Sequence, residues 1–367
     1  MTRVEENVPL AEWCTLGVGG PARWFVEARS ESDVIDALSW ARSRHTDLFV
    51  LGGGSNIVIS DAGLHALVVR IALEGVEQRI EGRSVIWRVG AGEPWDAFVR
   101  STVRAQCAGL ECLSGIPGLV GGTPIQNVGA YGQDVSGTIQ TVRAIDRQSL
   151  EMLNLTAAEC GFAYRTSRFK HRDANRFVVT GVAFALTPGG APTLAYADVV
   201  KYFHDRSGTP SLDEVRCAIL DIRARKGMVI QAGNPANQSV GSFFVNPIVT
   251  RQQFDRVRDA IGATDEQDVP HYPTDDDRVK IPAAWLIEQA GYSKGHTVGN
   301  VGISPFQAQG LINRGGASSA EVIALAAAVK RAVWSAFEVM LVPEPVFVGF
   351  GDDPNVRWLL EGSPTRH

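Results

Sequence analysis

The stretch GSFFVNP, residues 241–247, sets the hydroxyl of Ser242 between a glycine and two phenylalanines and closes on an Asn-Pro turn. A hydroxyl beside aromatic bulk is either a buried serine bonded to backbone or a proton donor kept dry for a reaction. Two glycine-rich stretches bear on the choice. GGGSN, Gly52 to Asn56, lies between two short apolar runs. It would make a nest of backbone N–H groups suited to a pyrophosphate, and equally a tight hairpin. GLECLSGIPGLVGGTPIQNVGAYGQDVSG carries eight glycines from Gly109 to Gly137 and no periodic apolar face. It is nearly uncharged and keeps Ile116, Leu119, Val120, Ile125, Val128 and Tyr131, which predicts an ordered loop rather than a disordered linker. Long ordered loops are usually functional, and glycines let backbone approach a ligand closely. Two such loops in one mixed region suit a large dinucleotide better than two unrelated turns.

Other chemistries lack support. GVGGPA, residues 17–22, formally matches a dinucleotide pattern, but Pro21 and a strand-like RWFVEA follow where a helix must open. No P-loop pattern occurs. The five cysteines form no C-x-x-C pair, and no two of the seven histidines stand at i, i+2 or i, i+4, so neither a disulfide framework nor a metal site is expected. A net charge of −5 disfavours nucleic acid or an anionic membrane as partner. The acidic N-terminus lacks a signal-peptide core, and no window reaches the ~18 apolar residues of a membrane span. A cytoplasmic protein, monomeric and without nucleic-acid or membrane partners, is expected.

The elements that must position these residues are legible in outline. Length alone suggests two or three domains. Helices are predicted over 30–45, 94–108, 211–226, 251–261, 282–290 and 318–341. Ser30 with Asp33 and Ser318 with Glu321 supply capping-box starts. Strands are predicted at RWFVEA, on both sides of GGGSN, at LVVRI, SVIWRVGAG, TVRAID and RFVVTGVAFAL. The polar QAGNPANQSVG reads as a hinge into the last third.

GGGSN, GIPGLVGGTPIQNVGAYG, YRTSRFK, GSFFVNP and WLIEQAG follow in this order. Together they resemble the UDP-N-acetylenolpyruvoylglucosamine reductase family, from about Thr15 to Gly349, in its longer type with a substrate-gating tyrosine. The resemblance implies an α+β fold: a two-lobed FAD-binding region of the vanillyl-alcohol-oxidase type and a separate α+β substrate domain. The boundaries would be 1–71 and 72–225 for the lobes, 226–343 for the substrate domain, and 344–367 for a segment returning Glu344 to the site. It implies non-covalent FAD held by Gly52, Gly53, Gly54, Ser55 and Asn56. The second loop would add Gly115, Ile116, Pro117, Gly118, Gly121, Gly122, Gln126, Asn127, Gly129, Ala130, Tyr131 and Gly132. It implies Ser242 as proton donor with Arg165 and Glu344 as catalytic partners, and Tyr164, Tyr196, Lys226, Asn246 and Gln289 as substrate-binding positions. The Lys226 match spans a longer loop before GSFF, and Pro345 and Phe347 depart from the better-known pattern.

The implied reaction reduces UDP-N-acetylglucosamine enolpyruvate with NADPH, adding hydride to C3 and a proton to C2. Charge then develops on the substrate carboxylate, which a guanidinium fork such as Arg165 suits. An enediolate is basic enough for a serine hydroxyl to protonate, and Glu344 would assist by hydrogen bonding to the enol form. Two rivals share the same loops: an FAD-dependent oxidase of the vanillyl-alcohol type, and a non-catalytic flavin or UDP-sugar sensor.

Overall fold

The computed structural model describes residues 3–229, 238–274 and 277–362. Most of the expected hinge QAGNPANQSVG, and the end of the C-terminal tail, lie outside the described residues.

The first lobe is a four-stranded sheet in the order Glu5–Pro9, Pro21–Ala28, Leu64–Ile71, Leu48–Leu51. The last three strands run parallel, because the crossover from Pro21–Ala28 to Leu48–Leu51 passes through helix Glu31–Ser43. Ser30 and Asp33 form the expected capping box there, and Val34, Ala37, Leu38 and Ala41 face the core. Pro21 opens a strand and not a helix, which disposes of GVGGPA as a dinucleotide turn.

The second lobe is antiparallel, in the order Met152–Thr156, Ile139–Asp146, Phe177–Pro188, Ser84–Gly90, Val76–Glu81. Helix Trp95–Arg104 covers it with a nucleus of Trp95, Phe98 and Phe184, ring centroids 5.2–5.9 Å apart. This helix stops earlier than 108 because Cys107–Ala108 pairs with the end of Phe177–Pro188. The third unit packs helices Ser319–Phe337, Ala283–Gln289 and Arg251–Ala260 around the sheet Ser239–Ser242, Gly310–Asn313, Val301–Ile303, Thr297–Val298. The long helix ends at Phe337, not 341, where Glu338 turns into the left-handed region at φ +53°. Among the described residues no helix is long and apolar enough to cross a membrane.

The cores cross the boundaries expected from sequence. Val34, Leu67 and Ile71 share one cluster with Trp87 and Phe184, and Leu16, Val18 and Val58 share another with Phe243, Leu286 and Val333. Polar contacts reinforce the second junction. Thr15 Oγ1 donates to Ser239 O at 2.7 Å, and Asn313 Nδ2 donates to Leu16 O at 3.0 Å. Asp61 of the first lobe caps helix Ser319–Phe337, accepting from Ser319 N at 2.8 Å and Ala320 N at 3.2 Å.

Asp61→Ala removes that cap and is expected to cost about 1–2 kcal/mol in urea unfolding, while Asp61→Asn, which keeps an acceptor, loses little. Equal midpoints for wild type and Asp61→Ala would show that the cap contributes nothing to the junction.

Candidate active site

A cavity of about 1170 Å³ opens between the three units. It exceeds the ~300–1,000 Å³ of an ordinary small-molecule site, leaving room for a dinucleotide and more. Both glycine loops line it, and they are built against each other. A Cβ on Gly53 would stand 2.7 Å from Gly118 Cα, so neither loop could approach the other with a side chain there. Gly54 takes φ +61° with a notional Cβ 1.9 Å from Trp13 O, and its carbonyl accepts from Thr15 N at 3.0 Å. At Gly52 and Gly122, which line the cavity, a Cβ would meet nothing within 4 Å. Bare backbone therefore faces open space from two sides, a cradle that fits a phosphate-bearing cofactor such as FAD.

The second loop is ordered, as expected. It folds into short turns around the one-turn helix Thr123–Gln126, which ends on Asn127 in the left-handed region at φ +43°. Residues 116–119 and 121–122, and Gln126, Asn127, Gly129, Ala130, Tyr131 and Gly132, all line the cavity. Gly115 does not. It lies beneath helix Leu212–Arg225, where its Cβ would come 2.7 Å from Leu220 Cδ2 and where Asp96 Oδ1 accepts from its N–H at 2.5 Å. Asp96 also receives both guanidinium nitrogens of Arg216 at 2.7 Å. Burial alone would push this carboxyl up; the Arg216 and Gly115 donors outweigh it and hold Asp96 below the usual carboxylate range. Gly115 is thus held by Asp96 beneath that helix and does not line the cavity.

Arg165 stands at the tip of a tight turn closed by two backbone bonds of 3.1 Å between Ala163 and Thr166. Its φ of +54° is unusual for a non-glycine residue, so surrounding contacts must hold the turn. Arg165 Nε lies 3.8 Å from Glu344 Oε1, both side chains partly exposed to the cavity. Glu344 arrives from the far end of the chain. Its N–H donates to Phe243 O at 2.9 Å, and its carbonyl accepts from Asn56 Nδ2 at 3.3 Å.

Ser242 ends the strand Ser239–Ser242 and lines the same cavity, with Phe243 and Phe244 fully buried behind it. Its hydroxyl makes no hydrogen bond among the described residues. The side chain is half-buried and open to the cavity, where a hydroxyl can meet a ligand.

Four of the five expected substrate positions reach the cavity. Tyr196 caps helix Ala197–Tyr202 and sets its ring edge-on to Tyr131, centroids 5.3 Å apart; burial pushes its hydroxyl pKa up. Lys226 donates to Asp198 Oδ2 at 2.6 Å and lies 5.7 Å from the Tyr131 ring. Burial draws its ammonium down, but the Asp198 hydrogen bond and neighbouring negative charge outweigh that and raise it. Tyr164 shares the turn of Arg165, with Lys280 Nζ 5.6 Å from its ring. Asn246 Oδ1 accepts from Ala283 N at 2.9 Å. Gln289 does not reach the cavity: helix Ala283–Gln289 buries Ala283, Leu286 and Ile287, and Gln289 is left exposed at its end.

Sequence reading missed Arg223, Lys280 and Lys170, which also line the cavity. Arg223 is pulled down by burial, donates to Met228 O at 3.1 Å, and keeps a buried Nε without a partner. Its signal was its spacing, three residues before Lys226, in the last turn of the helix that Lys226 follows. Among the described residues no group of three or more His, Cys, Asp or Glu could hold a metal.

The chain matches two family models: an FAD binding domain over residues 22–149, and the UDP-N-acetylenolpyruvoylglucosamine reductase C-terminal domain over 234–348. The reductase of Thermobifida fusca is 44% identical over 355 residues, 95% of this chain and 99% of that one. That of Saccharopolyspora erythraea is 42% identical over 346 residues, 92% and 94% of the two chains. The solved reductase from Thermus caldophilus superposes with a TM-score of 0.64 at 26% identity, covering 95% of this chain and 99% of that one. Two glycine loops closed on one cavity, with an arginine, a glutamate and a serine drawn to it from three parts of the chain, thus sit in a sequence that belongs to the UDP-N-acetylenolpyruvoylglucosamine reductase family.

Proposed function

We propose that this protein reduces UDP-N-acetylglucosamine enolpyruvate to UDP-N-acetylmuramate, a step of peptidoglycan synthesis, with NADPH as electron donor. The observation that carries the reading is the convergence of Arg165, Glu344 and Ser242 on the cavity that both glycine loops line.

FAD, held by Gly52–Asn56 and the loop from Ile116 to Gly132, supplies the hydride carrier between NADPH and the enolpyruvyl C3. The remaining chemistry belongs to this chain. Arg165 binds the substrate carboxylate and stabilises the negative charge that hydride addition drives onto it. Its planar fork offers fixed, always charged donors for this task. The contact with Glu344 is loose, 3.8 Å from Arg165 Nε to Glu344 Oε1 with no hydrogen bond between them, so the fork keeps donors for a second carboxylate. Glu344 accepts a hydrogen bond from the enol form. Ser242 delivers the proton to C2, and the buried Phe243 and Phe244 keep bulk water away from that side. Tyr164, Tyr196, Lys226 and Asn246 would hold the UDP-sugar, a reading supported by their lining the same cavity, with the Lys226 ammonium suited to its diphosphate.

Ser242→Ala is expected to leave reduction of the flavin by NADPH near the wild-type rate, because that half-reaction never uses the hydroxyl. Reoxidation by the enolpyruvyl sugar should slow by roughly a hundredfold to ten-thousandfold, the range for a lost general acid. Ser242→Cys should recover part of it. Anaerobic single-turnover absorbance measurements check this, and reoxidation of Ser242→Ala at the wild-type rate would rule out the proton-donor role.

Arg165→Ala should retain FAD and lose about 3 to 4 kcal/mol of transition-state stabilisation in kcat/KM for the enolpyruvyl sugar. A variant purified colourless and unfolded would assign Arg165 to structure instead.

A further inference from the structure

The turn that carries Arg165 is tied to the flavin loop by a lysine that the chemistry above does not use. Lys170, five residues on, is half-buried in the cavity wall. Its Nζ donates to Gln126 Oε1 at 2.9 Å and to the Arg165 carbonyl at 3.1 Å. Gln126 belongs to the one-turn helix at the centre of the second glycine loop. Two bonds run beside this bridge: Asn127 Nδ2 to Ala163 O at 2.9 Å, and Ser167 Oγ to Ile125 O at 2.7 Å. They fix the stem of the turn and the chain that leaves it. Lys170 reaches the tip.

A lysine fits this place for a physical reason. Two acceptors on different segments need one donor group with N–H bonds in several directions, and an ammonium has three. Its charge also makes each bond stronger than a neutral one. The tip needs such support because Arg165 sits at φ +54°, a conformation a non-glycine residue does not hold by itself. We propose that Lys170 is a positioning residue for Arg165, locking the turn Tyr164–Arg165 onto the loop that cradles the cofactor so that the guanidinium stays beside Glu344. The inference rests on the reading of Arg165 as the group that binds the substrate carboxylate. Small misplacement of such a group is costly; about 1 Å can lower a rate a hundredfold.

The test uses the FAD-bound protein as Lys170→Met and Lys170→Arg. Lys170→Met should be reduced by NADPH like wild type and reoxidised by UDP-N-acetylglucosamine enolpyruvate about ten- to hundredfold more slowly, the equivalent of one charged hydrogen bond. Lys170→Arg, which keeps charge and several donors, should recover part of that loss. A second readout needs no turnover: trypsin should cut Arg165–Thr166 faster in Lys170→Met, because the freed tip frays. Reoxidation of Lys170→Met at the wild-type rate overturns the proposal. So does a parallel loss of FAD and of NADPH reduction, which would place Lys170 at the cofactor instead, and so does failure of Lys170→Arg to exceed Lys170→Met. Should wild type itself not be reoxidised by the sugar, the functional reading fails, and unchanged trypsin cleavage would then sink the Lys170 assignment separately.

Discussion

Strand Val346–Val348 runs parallel to Ile57–Ile59, and the geometry of the site hangs on that pairing. It joins the end of the chain to the strand that leaves the first glycine loop. Asn56, the last residue of that loop, holds the junction twice: its carbonyl accepts from Val346 N at 3.0 Å, and its side chain donates to Glu344 O at 3.3 Å. On its other side Glu344 donates through its backbone to Phe243, and Val245 donates to Val342 at 2.9 Å. The Glu344 backbone is therefore clamped between the first glycine loop and the strand of Ser242. A slip of one residue would turn the Glu344 side chain away from the cavity, since successive strand residues face opposite sides.

The third member comes from the other lobe. Arg165 has no strand to fix it and is carried on a turn whose backbone is strained, so its place depends on the second glycine loop beneath it. That loop is fixed in turn by contact of Gly118 with Gly53 and by the Asp96–Arg216 pair under Gly115. The two glycine loops and the side chains proposed to act on the substrate thus form one connected set. The same set makes the site dry on one side, where fully buried phenylalanines back the Ser242 hydroxyl.

Much of this was legible in the sequence, for local reasons. Ser30 with Asp33 and Ser318 with Glu321 announced helix starts that the capping boxes realise, and apolar spacing found the buried faces. The long glycine loop stood out because its uncharged, apolar residues predict order, and GSFFVNP gained a ligand reading only beside the two glycine loops and the family resemblance. What stayed hidden depends on contacts between distant segments. Nothing in VFV says that it pairs with IVI almost three hundred residues earlier. The burial of Arg223 and the bridging of Lys170 appear only when loops meet. Gln289 and Gly115 were read from their motifs, and packing between distant segments decides where they lie: helix Ala283–Gln289 leaves Gln289 exposed at its end, and Gly115 lies under helix Leu212–Arg225.

The central claim is that one substrate carboxylate lies between Arg165 and Glu344 with C2 presented to Ser242. A crystal structure of the protein with oxidised FAD and UDP-N-acetylglucosamine enolpyruvate tests it most directly. The account predicts the carboxylate within hydrogen-bond reach of the Arg165 guanidinium and Ser242 Oγ in contact with C2. A carboxylate bound at Lys226 or Lys280, with Arg165 still turned only to Glu344 and Ser242 distant from the enolpyruvyl group, would contradict it.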